Sequence, residues 1–210
     1  MTSQQQGRVG PAGDLAGPPA VEVEVLLLRP AGVDGLGYRV LRAALTGRSS
    51  PDEVATASYR AARASGAERA DGADGADGAD VQVLHSTSWR YEPGRGVVLT
   101  YAALPDPDPT APGTTLVDPA VVSSGDPLRP APDLLHGHHV VAHAVRHLAE
   151  LARRDPAVRA AAGTADEAGR ELWRRLTDLA PRVPTGTHED AHAAARAVAP
   201  AQPAEPSSRA

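Results

Sequence analysis

Histidines spaced one helical turn apart are the residues of this chain best suited to chemistry. His139, His143 and His147 follow one another four residues apart, His136 precedes them, and Glu150 stands one turn beyond His147. Imidazole is the commonest protein metal ligand and titrates near neutrality. Two rings one turn apart can grip a single zinc ion at about 2.0–2.1 Å, and a neighbouring carboxylate can add an oxygen or orient a ring. His139, His143, His147 and Glu150 are therefore the metal candidates. On a helix the same histidines, with Glu150 and Arg154, fall opposite an apolar stripe of Val141, Ala144, Val145, Leu148, Leu151 and Ala152. The competing expectations are a solvated face or the rim of an interface, and, separately, an anion site formed with Arg146 and Arg154.

His188 and His192 lie within His-Glu-Asp-Ala-His, which resembles the zincin signature, where two histidines bind zinc and the glutamate activates water. The string departs from that family at Asp190, where an uncharged residue is usual. No apolar helix follows to carry a third ligand, and Glu205 sits among Pro and Ser. A third group is the polar run His85-Ser-Thr-Ser-Trp-Arg90, expected on an internal strand, where unpartnered polar groups would cost a few kcal/mol. His85, Trp89 and Arg90 are ligand candidates, and Trp89, Tyr91 and Arg90 together can clasp a flat or anionic molecule. A fourth is Ser123-Ser-Gly-Asp-Pro127. Its backbone can cradle a phosphate, which makes Ser123, Ser124, Asp126 and the nearby Arg129 ligand candidates. A Ser/His/Asp triad from His85, Ser123 or Ser124 and Asp126 lacks a Gly-x-Ser-x-Gly elbow. The Arg-Glu-x-x-Glu-Glu string of Nudix hydrolases is absent.

Composition closes off whole reaction classes. The 210 residues include no Cys, Lys, Phe, Ile or Asn, and all 21 cationic side chains are Arg. Without Cys there is no disulfide, thiolate nucleophile or iron–sulfur cluster. Without Lys there is no Schiff base and no phosphate-gripping lysine. Acid–base work must fall to His, Asp or Glu. A net charge of −5 argues against a nucleic-acid footprint. No apolar run is long enough to span a bilayer. Met1–Pro19 has no apolar signal-peptide core, which makes the cytoplasm the expected location.

The elements that must hold these residues read as follows. Residues 21–28 alternate and then become fully apolar, a strand entering the middle of a sheet. Residues 37–45 form a second strand after a loop at 30–35. Ser50-Pro-Asp-Glu53 is a capping box opening a helix that stops near Gly66. Residues 81–91 and 97–104 make a hairpin around a turn at 92–96, with Val81, Val83, His85, Thr87, Trp89 and Tyr91 on one face. A short strand at 121–122 and helices at 133–154, 164–180 (capped by Thr164 and Glu167) and 187–198 complete the list. Strands first and helices last imply an α+β domain, a small antiparallel or mixed sheet of about 4–5 strands against 3–4 helices. The domain spans 20–180, with a low-complexity Ala-Asp-Gly linker at 70–80 and flexible tails at 1–19 and 181–210.

The blocks His85-Ser-Thr-Ser-Trp-Arg90, Val121-Val-Ser-Ser-Gly-Asp-Pro-Leu-Arg-Pro130 and His138-His-Val-Val-Ala-His-Ala-Val-Arg-His-Leu-Ala149 resemble small uncharacterised proteins of GC-rich actinobacteria. That group has no established activity, so the resemblance implies no catalytic residue. The expectation is a non-enzymatic domain, without a cofactor, that binds a protein partner, a second copy of itself or a small anion. The alternative is a zinc-dependent hydrolase built on the histidine helix.

Overall fold

The computed structural model describes residues 20–69, 81–117, 126, 128, 132 and 135–180. In chain order these form β1 (Val21–Ala31), β2 (Gly35–Ala44), α1 (Pro51–Arg69), β3 (Val83–Glu92), β4 (Gly96–Leu104), β5 (Thr114–Thr115), α2 (Gly137–Arg154), α3 (Pro156–Thr164) and α4 (Glu167–Leu179). The protein is thus α+β, with a five-stranded mixed sheet ordered β3-β4-β1-β2-β5. β1 and β4 run parallel; every other neighbouring pair is antiparallel. No helix among the described residues is long and apolar enough to cross a membrane.

Alternation along β1 divides the core between the two faces of the sheet. Val23, Val25 and Leu27 pack with Tyr101 and Ala103 beneath Ala55, Tyr59 and Ala62 of α1. Leu26 and Leu28 point the other way and join Val83, Ala102 and Leu104. That face is covered by Val141, Ala144, Val145 and Leu148 of α2 and by Leu172, Trp173 and Leu176 of α4. The apolar stripe expected on α2 is this buried seam. Each fully buried Leu or Val contributes about 1.5–3 kcal/mol.

The first hairpin is tighter than expected. β1 continues through Pro30, and only residues 32–34 turn. Pro30 is tolerated because pairing with β4 ends at Leu27, so no strand among the described residues faces the side of its missing N–H. The α1 capping box forms as expected: the Ser50 amide donates to Glu53 Oε2 at 2.8 Å and the Glu53 amide to Ser50 Oγ at 3.2 Å. The helix, however, runs past Gly66. That glycine is not a stop but a close approach, since a Cβ there would meet the Cβ of Asp108 at 2.8 Å. α2 begins at Gly137 with His136 as its cap, later than the 133 expected. α3 was not foreseen. Asp155 Oδ1 accepts from the amides of Ala157 and Val158, and Pro156 opens the helix. Thr164 ends α3, donating to Ala160 and Ala161 carbonyls, and the cap of α4 is Asp166, accepting from Gly169 at 2.7 Å. Two residues on from Thr164, a carboxylate outcompetes the hydroxyl as acceptor. The strand expected at 121–122 and the helix at 187–198 lie outside the described residues.

Candidate functional site at the β3 edge and the start of α2

The polar strand β3 is an edge strand, not an internal one. One side of its backbone has no strand neighbour among the described residues, and of its hydroxyl side chains Ser86 is exposed while Thr87 is buried. A bulge interrupts it: Ser86 pairs with Tyr101 and Ser88 with Thr100, leaving Thr87 extra. Thr87 Oγ1 donates to the Thr100 carbonyl at 3.2 Å. The extra residue shifts the alternation. His85, opposite Ala102, shares its face with Ser88 and Arg90, the face that α2 covers. Trp89 and Tyr91, opposite Leu99 and Val97, are in the other phase. The single face expected for His85, Thr87, Trp89 and Tyr91 does not exist. Trp89 and Tyr91 remain 71% and 64% exposed.

Arg90 is committed to its own fold. Both Nη atoms donate to Glu24 at 2.9 and 3.0 Å, Nη1 also to Thr100 Oγ1 at 2.8 Å, and Nε to Glu92 at 2.7 Å. Glu24, 2% exposed, is held from its other side by Arg42 Nη2 at 2.6 Å. Glu22 pairs with Arg95 at 2.6 Å. These charges extend the α2-facing side of the sheet beyond the apolar seam. A second cluster lies at the opposite end of β1. There Arg39 makes a bidentate contact to the buried Asp106 at 2.6 and 2.8 Å, and Arg29 fastens the Pro109 and Ala111 carbonyls at 2.9 and 2.6 Å. The sequence reading missed Glu24, Arg39 and Asp106. The signal for Glu24 was its pairing with Arg42 across β1 and β2, which is visible only once strand register is known.

The histidines form a row along α2. His136, His138 and His139 cluster at its start, with ring centroids 4.1–5.4 Å apart. The His136 amide donates to His139 Nδ1 at 3.2 Å. Farther along, His143 is exposed, and His147 stacks on His85 of β3 at 5.3 Å with an interplanar angle of 21°. His147 therefore faces the sheet rather than solvent, contrary to the wheel. Burial, reinforced by neighbouring His85 and His143, pushes its imidazole below the ordinary value. Glu150 belongs to Arg153 and Arg154; hydrogen bonding from Arg153, with Arg154 adding charge, holds its carboxyl below the usual range.

No three His, Asp or Glu side chains among the described residues converge on a point suited to a metal ion. The rings of His85, His147 and His143 lie nearly parallel, with successive centroids 5.3 and 6.5 Å apart. His188 and His192, like Ser123, Ser124 and Arg129, lie outside the described residues. Asp126 is described, and its Oδ1 accepts from the Leu128 amide at 2.8 Å, closing a local turn.

Between α2 and β3 lies a groove of about 140 Å³. Ser88 and Arg90 wall it on the strand side, Leu135, His139, Val140 and His143 on the helix side, and Trp89 borders it. A wider, open depression runs along α4, but its Glu171 and Arg174 are paired with each other at 2.8 Å. No family model matches the chain, and comparison with curated proteins and with solved structures gives no match.

Proposed function

We propose that the chain is a non-enzymatic binding module that takes up an extended protein segment along the outer edge of β3. One acceptor-bearing side chain of that segment enters the groove beside α2. The observation that carries this reading is the pair of aromatic side chains, Trp89 and Tyr91, left largely in water on a strand whose outer edge has no described neighbour. An open strand edge offers backbone hydrogen bonds to an added strand, and adjacent pockets supply specificity. The groove suits this role by size. About 140 Å³ admits one side chain, whereas cofactor and drug-sized sites occupy roughly 300–1,000 Å³. Among its polar walls, Ser88 and His143 each offer a donor as well as an acceptor, which suits an amide side chain. A free anion is the weaker candidate, because Arg90 already gives four of its five N–H groups to Glu24, Glu92 and Thr100.

The test is selection from a displayed library of linear peptides against the full chain, repeated with the Trp89→Ser/Tyr91→Ser variant. Enriched peptides that share a pattern of alternate residues, bind the parent and lose binding to the double variant support the reading. It is overturned if no peptide is enriched, if the double variant binds equally well, or if inorganic phosphate displaces the peptides. A dimer of the parent chain that the double variant dissociates assigns the edge to a second copy instead.

A further inference from the structure

We infer that the segment taken up at the β3 edge carries a short signal of fixed phase: an Asn or Gln opposite Arg90, flanked on both sides by apolar residues that lie against Trp89 and Tyr91. This names the ligand of the docking edge proposed above and rests on that reading. Backbone direction sets the phase. The Val97 amide donates to the Ala20 carbonyl at 2.9 Å, on the β1 side of β4. Backbone groups alternate sides along a strand, so Val97, Leu99, Tyr101 and Ala103 address β1, and the residues between them address β3. Tyr91 pairs with Val97, Trp89 with Leu99, Ser86 with Tyr101 and Leu84 with Ala103. Such pairs exchange no backbone hydrogen bonds. The N–H and C=O groups of these four β3 residues therefore point outward, to the edge that has no strand neighbour among the described residues.

The bulge at Thr87 cuts this edge in two. Outward residues follow at steps of two from Leu84 to Ser86 and from Trp89 to Tyr91, but of three from Ser86 to Trp89. A regular added strand keeps a step of two, so it pairs with one half only. The half at Trp89 and Tyr91 carries the exposed rings, and the turn at 93–95 ends it. An antiparallel strand added there exchanges paired hydrogen bonds with Trp89 and Tyr91 through two residues of its own, separated by a single one. So short a ladder is too small for the roughly 800 Å² per partner on which folded domains associate, and it suits a linear segment. A second copy of β3 has the same three-residue step. It would set Ser88, whose backbone serves β4, opposite Thr87 of the copy, and the middle of that ladder would stay unbonded.

Directly opposed residues share a face. The two residues opposite Trp89 and Tyr91 thus turn their side chains to those rings, where β-branched or aromatic partners are favoured. The residue between them lies opposite Arg90 and turns toward α2, where Ser88, Leu135, Val140 and His143 wall the groove. Charge is balanced at this point. Arg90 donates to Glu92 at 2.7 Å and to Glu24 at 2.9 and 3.0 Å. A carboxylate entering here would stand beside Glu92, and a cation beside Arg90. An uncharged amide avoids both, and its donor and acceptor match those of Ser88 and His143.

The probes are two end-blocked peptides, acetyl-Ser-Val-Gln-Val-Ser-amide and the inverted acetyl-Ser-Gln-Val-Gln-Ser-amide, each titrated into the isotopically labelled full chain. Amide exchange and peptide affinity are read by NMR. The expected result is slowed exchange at Trp89 and Tyr91 but not at Leu84 and Ser86. Replacing the central Gln by Ala should weaken binding about two- to tenfold, the range for one lost hydrogen bond, and the inverted peptide should bind more weakly still. Equal binding of the inverted or the Ala peptide, slowed exchange that extends to Leu84 and Ser86, or no response at any of the four residues overturns the inference. Protection of all four that grows with protein concentration alone assigns the edge to a second copy and overturns it too. The docking reading is judged separately, by library binders that the Trp89→Ser/Tyr91→Ser variant loses. Such binders without the apolar–amide–apolar triplet leave that reading standing and refute this one.

Discussion

Replacing Glu24 by Gln removes a charge from the most densely bonded point of the sheet, and the consequence can be worked out from its neighbours. The carboxylate is 2% exposed, bridges both Nη atoms of Arg90 at 2.9 and 3.0 Å, and meets Arg42 at 2.6 Å. Removing one partner of a buried pair costs about 3–5 kcal/mol, because the other charge stays behind without compensation. Here the loss falls at the low end, about 3 kcal/mol, since Arg90 keeps Glu92 and Thr100 and Arg42 reaches solvent. That is a large part of the 5–15 kcal/mol that typically separates folded from unfolded chains. With a urea dependence of about 1–3 kcal/mol per M, the midpoint should drop by roughly 1–3 M at unchanged slope. Arg90→Met should cost a similar amount by leaving Glu24 with only Arg42 and the Thr100 hydroxyl. The Glu24→Gln/Arg90→Met pair, which leaves neither ion of the contact behind, should cost less than the sum of the single changes. Equilibrium urea unfolding followed by circular dichroism measures all four corners of this cycle. Additivity of the single and double changes within about 0.5 kcal/mol would refute the reasoning and reduce the cluster to independent surface-like contacts.

Three further outcomes follow from the packing. Gly66→Ala should destabilise by about 1–3 kcal/mol in thermal unfolding despite alanine's better helix propensity, because the new Cβ meets Asp108 at 2.8 Å; a stabilised variant would show that the loop yields. Leu148→Ala, at a fully buried site between α2 and the sheet, should cost about 2–5 kcal/mol, read by urea midpoint. Burial, together with a 2.5 Å hydrogen bond to Asp52, pushes the Tyr101 hydroxyl up to about 12. Stability linked to it is complete below pH 10, the ordinary tyrosine value, and declines as pH rises toward 12. Tyr101→Phe should lack that alkaline decline in urea midpoints measured between pH 9 and 11, and a decline that persists would assign it to another group.

Local chemistry was legible in the amino-acid sequence wherever a single mechanism acted within a few residues. Ser50 and Glu53 form the reciprocal cap that their spacing implies, and β1 alternates into an apolar run because it lies between two neighbours. The apolar stripe of α2 was equally plain. Competing signals decided the misses. Asp155-Pro156 and Asp166 are strong starts, but Thr164 and Glu167 between them mimic one. Gly66 has the residue type of a helix stop and serves instead as clearance for another segment. The candidate site was legible only in part. Its histidines and Trp89 were found from type and spacing. Their mutual arrangement depends on one unpaired residue, Thr87, since a bulge inverts every side chain that follows it. No periodicity argument along a single strand reveals such an insertion, because the partner strand defines it.

The parallel pairing of β1 with β4 divides the sheet into two local hairpins joined at one line. Within each hairpin, contacts form between near neighbours in the chain; across the line, Val21 meets Val97 and Leu27 meets Ala103. Closing it draws together segments separated by roughly 75 residues, a loop whose entropy must be lost before any contact rewards it. The central strand therefore gains its second neighbour only when that loop closes, and β2 does the same where Gly37 meets Thr115 of β5.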